Sequence, residues 1–141
     1  MKAYPGQCFC GSIGYEYSTD TPPADWSIRA CQCAFCRAHD ALSASDPAGE
    51  LRFHAGNPPN LQRYRFAMRT ADFLLCRECG VYIGAVIETG QGRFGIINTH
   101  SLAEAPGDIA AVEPISYDKE DKAGRVGRRE ERWTPVTHVP W

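Results

Sequence analysis

Seven cysteines stand in three tight groups along this chain: Cys8-Phe9-Cys10, Cys31-Gln32-Cys33-Ala34-Phe35-Cys36 and Cys76-Arg77-Glu78-Cys79. Their spacing constrains the fold more than any other feature. A disulfide stabilises mainly by closing a long loop, and partners one or two residues apart close almost nothing. An odd count would also leave one thiol over. A Cys-x-x-Cys redox pair accounts for a single group, and the spacings match neither ferredoxin pattern of an iron–sulfur protein. Zinc accounts for all three groups. Thiolates bind Zn²⁺ tetrahedrally, and a Cys-x-x-Cys turn presents two sulfurs to one ion. In an extended Cys-x-Cys the side-chain period of two places both sulfurs on one face.

Seven ligands divide naturally as four plus three. Joining the triple group to another pair would make five ligands. The simplest partition therefore couples Cys8 and Cys10 with Cys76 and Cys79, and leaves Cys31, Cys33 and Cys36 as a three-ligand site. Four thiolates close a structural site, whereas three leave a position open for water or substrate. Spacing alone leaves an alternative: a histidine, His39 from nearby in sequence or His100 through folding, completes the second site and makes both structural.

Composition supports a metal contribution to the fold. Leu, Ile, Val and Phe number only 26 of 141 residues, while the net charge is −2. The core is thin in large aliphatics without the high charge of a disordered chain. The near balance of charge gives no electrostatic footprint for nucleic acid. The longest apolar stretch, Val81 to Ile87 with Gly84 inside it, is far short of the ~18 residues that span a bilayer. Met1 to Pro5 lacks the apolar region of a secretory signal. The expectation is one cytoplasmic domain over residues 1–141, acting on small molecules, with neither membrane nor nucleic acid as partner.

The segment Gly6-Gln7-Cys8-Phe9-Cys10-Gly11-Ser12-Ile13-Gly14-Tyr15 resembles the first signature of the glutathione-dependent formaldehyde-activating enzyme family, which shares its domain with centromere protein V. Cys31 to Arg37 resembles that family's Cys-x-Cys-x-x-Cys-Arg segment, Gly56 to Tyr64 its entry to a strand, and Cys76 to Gly80 its last knuckle. The resemblance spans roughly residues 4–102. Gln32 stands where the family often has histidine, and His39 and Asp40 follow the Arg where small residues are common. The resemblance implies a mainly β, Mss4-like fold of antiparallel sheets with few short helices, pinned by a structural zinc on Cys8, Cys10, Cys76 and Cys79. It implies a second, catalytic zinc on Cys31, Cys33 and Cys36. It also implies a carbon–sulfur lyase-type activity, in which glutathione adds to formaldehyde or a related small aldehyde to give S-hydroxymethylglutathione. The competing reading is a non-catalytic zinc module that binds glutathione or a protein partner.

Chemistry refines the expected roles. Three thiolates and Zn²⁺ carry a net charge of −1, which mutes Lewis acidity and favours thiol binding over carbonyl polarisation. Among the arginines near knuckles (Arg37, Arg69 and Arg77), Arg37 lies nearest the open site and is the candidate for a glutathione carboxylate. His39, or else His100, is the candidate for moving a proton. Tyr15 to Tyr17, Leu61 to Phe66 and Arg93 to Ile97 read as strands. Ala71 to Leu75 and Val81 to Glu88 should pair as a hairpin with zinc near its tip, and a short helix should run from about Ala34 to Asp40. Residues 118–132 hold six basic and five acidic side chains and read as a solvated, charged excursion, with Trp133 and Trp141 tying down the tail.

Overall fold

A computed structural model describes residues 1–141. Eleven strands run in the order β1 (Lys2–Gln7), β2 (Ile13–Thr19), β3 (Ile28–Cys31), β4 (Ser43–Ala44), β5 (Glu50–Ala55), β6 (Leu61–Tyr64), β7 (Asp72–Cys76), β8 (Tyr82–Thr89), β9 (Gly92–Asn98), β10 (Val112–Ile115) and β11 (Thr134–His138). Helix α1 (Ala34–Ala38) follows β3, and helix α2 (Lys122–Arg132) lies between β10 and β11. The chain is mainly β, as its sequence predicts. No helix is long and apolar enough to cross a membrane.

The strands pair in the order β1-β2-β5-β11-β9-β4-β3-β10, with β8, β7 and β6 branching from β9. The expected antiparallel pairing holds for eight of the ten strand pairs, and the sheet is mixed because β10 runs parallel to β3 and β11 runs parallel to β5. The expected hairpin is present, with β7 antiparallel to β8 in the register Phe73↔Ala85. Strand β11 joins the two halves of the sheet, pairing Thr134 with Gly95 on one side and Val136 with Leu51 on the other.

Alternation along the strands builds the core. In β2, Ile13, Tyr15 and Tyr17 are buried while Glu16 is exposed; in β5, Leu51 and Phe53 are buried while Arg52 and His54 are exposed. The register places Tyr15 opposite Phe53 and Tyr17 opposite Leu51, so the apolar side chains share one face. These residues form the larger apolar cluster together with Cys8 and Cys76. A smaller cluster gathers Phe73, Tyr82, Ala85, Ile96 and Trp133 around Cys36. The first and last cysteine groups therefore contribute to one buried apolar cluster and the middle group to the other.

The segment expected as a solvated excursion instead contains an eleven-residue helix. The Asp121 carboxylate caps α2 by accepting a hydrogen bond from the Gly124 N–H at 2.7 Å. Val126 packs against the smaller cluster, and the buried Trp133 anchors the far end. Its arginines recur at positions 125, 128, 129 and 132, the spacing that lines one face of a helix.

Candidate metal centre

The first and last knuckles use the same local device. At the first, the Gly11 N–H donates to the Cys8 carbonyl at 3.1 Å with φ +80°; at the last, the Gly80 N–H donates to the Cys76 carbonyl at 2.9 Å with φ +78°. Both turns need a left-handed residue, which glycine supplies without a Cβ clash. Backbone amides also point at sulfur: Ile13 N–H donates to Cys8 Sγ, and Cys79 N–H donates to Cys76 Sγ, each at 3.5 Å. Substituting Gly80→Ala is expected to cost about 1–2 kcal/mol. A urea melt should show a lower midpoint at unchanged slope.

The fold brings Cys8, Cys10, Cys76 and Cys79 together, with all four sulfurs within 4.8 Å of one another. Cys8 and Cys10 Sγ stand 3.8 Å apart, and Cys10 and Cys76 Sγ 3.5 Å. Four thiolates around zinc at about 2.3 Å lie roughly 3.8 Å from one another. The donor set and its spacing thus fit a closed tetrahedral site. The Ser12 hydroxyl, 3.1 Å from Cys10 Sγ, holds that thiol down at about 6, while burial pushes Cys76 up to about 11.

The sulfurs of Cys31, Cys33 and Cys36 form the second group, also within 4.8 Å, and no histidine or carboxylate joins them. Cys31 ends β3, Cys33 caps α1 by accepting a hydrogen bond from the Cys36 N–H at 3.4 Å, and Cys36 is buried. Phe35 fixes this loop by packing on Phe66 (4.6 Å between centroids), Phe73 (5.0 Å) and Tyr82 (5.3 Å). As free thiols the sulfurs hold their protons unequally. A hydrogen bond from Cys36 lowers Cys31 to about 5, while Cys36 itself is raised by sharing its proton with Cys31 and by burial. All seven cysteines are free of disulfides. Three soft donors at one point fit a thiophilic metal such as zinc with one position left for another ligand.

A cavity of about 420 Å³ opens beside the triplet. Cys31, Cys33 and Cys36 line it, and so do four arginines: Arg29 from β3 and Arg125, Arg128 and Arg129 from α2. Neither Arg37 nor His39, the residues that sequence reasoning put forward for glutathione contact and proton transfer, lines this cavity. Arg37 is exposed on α1, and the His39 ring packs tilted against Phe35, 4.5 Å between centroids. His100 lies with Nε2 3.4 Å from an Asp40 carboxylate oxygen. Arg69 and Arg77 are also absent from the lining.

The arginines that do line the cavity left signals in the sequence. Arg29 and Cys31 are two residues apart in a strand, so they share a face. The spacing of 125, 128 and 129 is helical, although Gly124 and Gly127 obscure the helix. Two of these arginines are paired with a carboxylate. Glu120 accepts from Arg128 at 2.8 and 3.1 Å and from Arg125 at 3.2 Å, and the Arg128 guanidinium lies 3.6 Å from the Tyr117 ring centroid. The Arg128 hydrogen bonds hold the Glu120 carboxyl below its usual range. A depressed carboxyl contributes stability above its unfolded pKa and loses it as pH falls through the folded value. Glu120→Gln is accordingly expected to destabilise the protein at pH 7, and the gap from the parent should close below the usual carboxylate range. Paired thermal melts across acid pH measure it.

A family model described as glutathione-dependent formaldehyde-activating enzyme matches residues 3–116. A solved crystal structure of a Rhodobacter sphaeroides protein is 30% identical in sequence, aligned over 77% of this chain and 99% of that one, with a TM-score of 0.57. No curated protein matches. Helix α2 and strand β11 lie beyond the residues that the family model covers.

Proposed function

The chain belongs to the glutathione-dependent formaldehyde-activating enzyme family, and from that premise we propose that it adds the sulfur of glutathione to formaldehyde or a related small aldehyde, with residues 1–141 acting as one zinc-binding domain. The observation that carries this reading is the three-sulfur group at the edge of an arginine-lined cavity, with no fourth protein ligand beside it. Cys8, Cys10, Cys76 and Cys79 would hold a structural zinc, and Cys31, Cys33 and Cys36 a second one. When bound at the triplet, zinc supplies a position where an incoming thiol loses its proton at neutral pH.

The chain's own residues supply the rest. The Phe35 packing holds the three sulfurs at one wall of the cavity, so a thiol and an aldehyde meet there as neighbours rather than by diffusion. The thiolate sulfur forms a bond to the carbonyl carbon as the C=O π pair moves to oxygen. The oxygen then takes up one proton, balancing the one lost by the thiol. The product is a hemithioacetal, and the step is redox-neutral. The positive wall of arginines favours charge that develops on the carbonyl oxygen. Because neither His39 nor His100 lines the cavity, the reading assigns them no proton-transfer role.

Titrating glutathione into cobalt-substituted protein tests the reading. A new sulfur-to-cobalt charge-transfer band, together with hemithioacetal formation faster than the spontaneous reaction, is the expected result. A band without acceleration would favour a non-catalytic glutathione-binding module. No spectral change at millimolar glutathione would remove the thiol-ligand idea.

A further inference from the structure

Arg29 and Arg129 are unlike the other two arginines of the cavity: neither has a carboxylate partner, Arg129 is buried and Arg29 is half-buried. Arg129 is 8% exposed. Its terminal nitrogen donates to Thr70 Oγ1 at 2.7 Å, its guanidinium sits 4.7 Å from the Trp133 ring centroid, and its Nε–H is buried with no acceptor. Arg29 donates to Ser45 Oγ at 2.8 Å, and no salt bridge engages it. Burial lowers both arginines from their ordinary value, Arg129 to about 10, which leaves Arg129 cationic at neutral pH. A second orphaned donor, the Tyr82 hydroxyl, is buried nearby in the same apolar cluster as Cys36.

Buried cations are ordinarily paired, and buried N–H and O–H groups ordinarily have acceptors. Glu120 is already engaged by Arg125 and Arg128, and Asp118, the one acidic residue lining the cavity, is exposed and accepts from the Ser116 hydroxyl at 3.0 Å. The two guanidiniums without a carboxylate partner come from different elements, one from the strand that ends in Cys31 and one from a helix beyond the family-matched residues.

We infer that Arg29 and Arg129 form a carboxylate-binding recess beside the three-cysteine group, which selects thiols carrying a carboxylate. The inference rests on the reading of the triplet as a thiol-binding centre and deepens it by naming what holds the far end of the thiol. Guanidinium donors suit a carboxylate because their paired N–H groups match its two oxygens. The unused Nε–H of Arg129 is the donor left for that geometry. Arg125 and Arg128, their charge paired with Glu120, shape the wall and hold α2 in place.

S-methylglutathione tests the recess separately from thiol ligation, because its sulfur has no proton to lose. Calorimetry on the zinc-loaded protein should show binding of S-methylglutathione and none of its diethyl ester, in which both carboxylates are masked. Arg29→Met and Arg129→Met should each weaken binding roughly 10- to 100-fold, as expected for lost hydrogen bonds to a charged group. Arg129→Lys keeps the charge without the Nε–H and should weaken it by at least tenfold, which guards against misreading a folding defect in Arg129→Met. Equal binding of the ester, or unchanged affinity in Arg129→Lys and Arg29→Met, would overturn the recess. The cobalt band distinguishes the two ideas. If cysteamine, which lacks a carboxylate, elicits it at the same concentration as glutathione, the recess fails while thiol ligation stands. If S-methylglutathione binds in an ester-sensitive way but glutathione elicits no band, the recess stands and thiol ligation fails.

Discussion

Replacing Cys76 with serine is expected to leave the chain without a cooperative fold. Cys76 is 2% exposed, ends β7 and belongs to the larger apolar cluster. Its sulfur lies 3.5 Å from that of Cys10, 66 residues away in sequence. A four-thiolate zinc site of the proposed kind contributes roughly 10–16 kcal/mol of apparent binding energy to folding. A domain's entire net stability is about 5–15 kcal/mol. Serine offers zinc no soft thiolate, so losing this ligand removes a contribution as large as the whole margin. With few large aliphatics, the apolar core has little to set against that loss. Thermal melts followed by circular dichroism should lose their sigmoidal transition in Cys76→Ser, and zinc content should fall from two ions to at most one. Strong chelation of the parent protein should reproduce the melt, and added zinc should reverse it. A Cys76→Ser variant that melts cooperatively within a few degrees of the parent would exclude the structural role.

The second substitution separates chemistry from folding. Cys33 is exposed, and its local structural contribution is to cap α1 through a hydrogen bond from the Cys36 N–H. Serine is a preferred residue at that position and can accept the same bond. Cys33→Ser should therefore keep its melting temperature within a few degrees of the parent while losing one of two zinc ions. Hemithioacetal formation should slow by at least about 100-fold, because the thiol is no longer deprotonated at the centre. Zinc analysis and a direct rate measurement on the same preparation check both halves. An unchanged rate would show that the triplet takes no part in catalysis. Opposite outcomes from the two serine substitutions are what a division of four cysteines for the fold and three for the reaction requires.

How far the site was legible depended on the range of the interaction involved. The cysteine groups stood out because ligand spacing within each knuckle is a local property of a turn or a strand. Glycine after the knuckle, as Gly11 and Gly80, carried the same local signal. The hairpin of β7 and β8 was legible for similar reasons: two apolar runs flank a short knuckle. Helix α2 was not, because Gly124, Gly127 and a dense run of charge give it weak intrinsic propensity and a single apolar residue, Val126. Flanking residues fix its ends, with the Glu120 clamp and the Asp121 cap before it and Trp133 after it, and the distant partners that hold it are the residues of the smaller cluster, Phe73 and Tyr82 among them, on which Val126 and Trp133 pack. Strand β11 likewise owes its parallel pairing with β5 to a partner more than eighty residues away.

Arg37 illustrates the same limit from the other side. It follows Cys36 directly, and proximity in sequence made it the natural anion contact. A helix turns its residues through about 100° each, so a neighbour of a buried cysteine can face solvent, as Arg37 does. Arg129, 93 positions after Cys36, lines the cavity instead.

The sequence by itself therefore determined the donor chemistry: seven soft donors in knuckle spacings, divisible as four and three, able to hold metal ions in a chain poor in large aliphatics. Ligand chemistry is written in residue type and local spacing, both of which a sequence states outright. The tertiary structure alone decided what surrounds the second group. It folded a charged segment into α2 and set that helix along the cavity beside the triplet, so that Arg129 from α2 and Arg29 from β3, neither with a carboxylate partner, line one cavity. Charge pairing depends on which distant groups reach each other after folding, and which arginines stay without a carboxylate is settled only when every other partner has been placed.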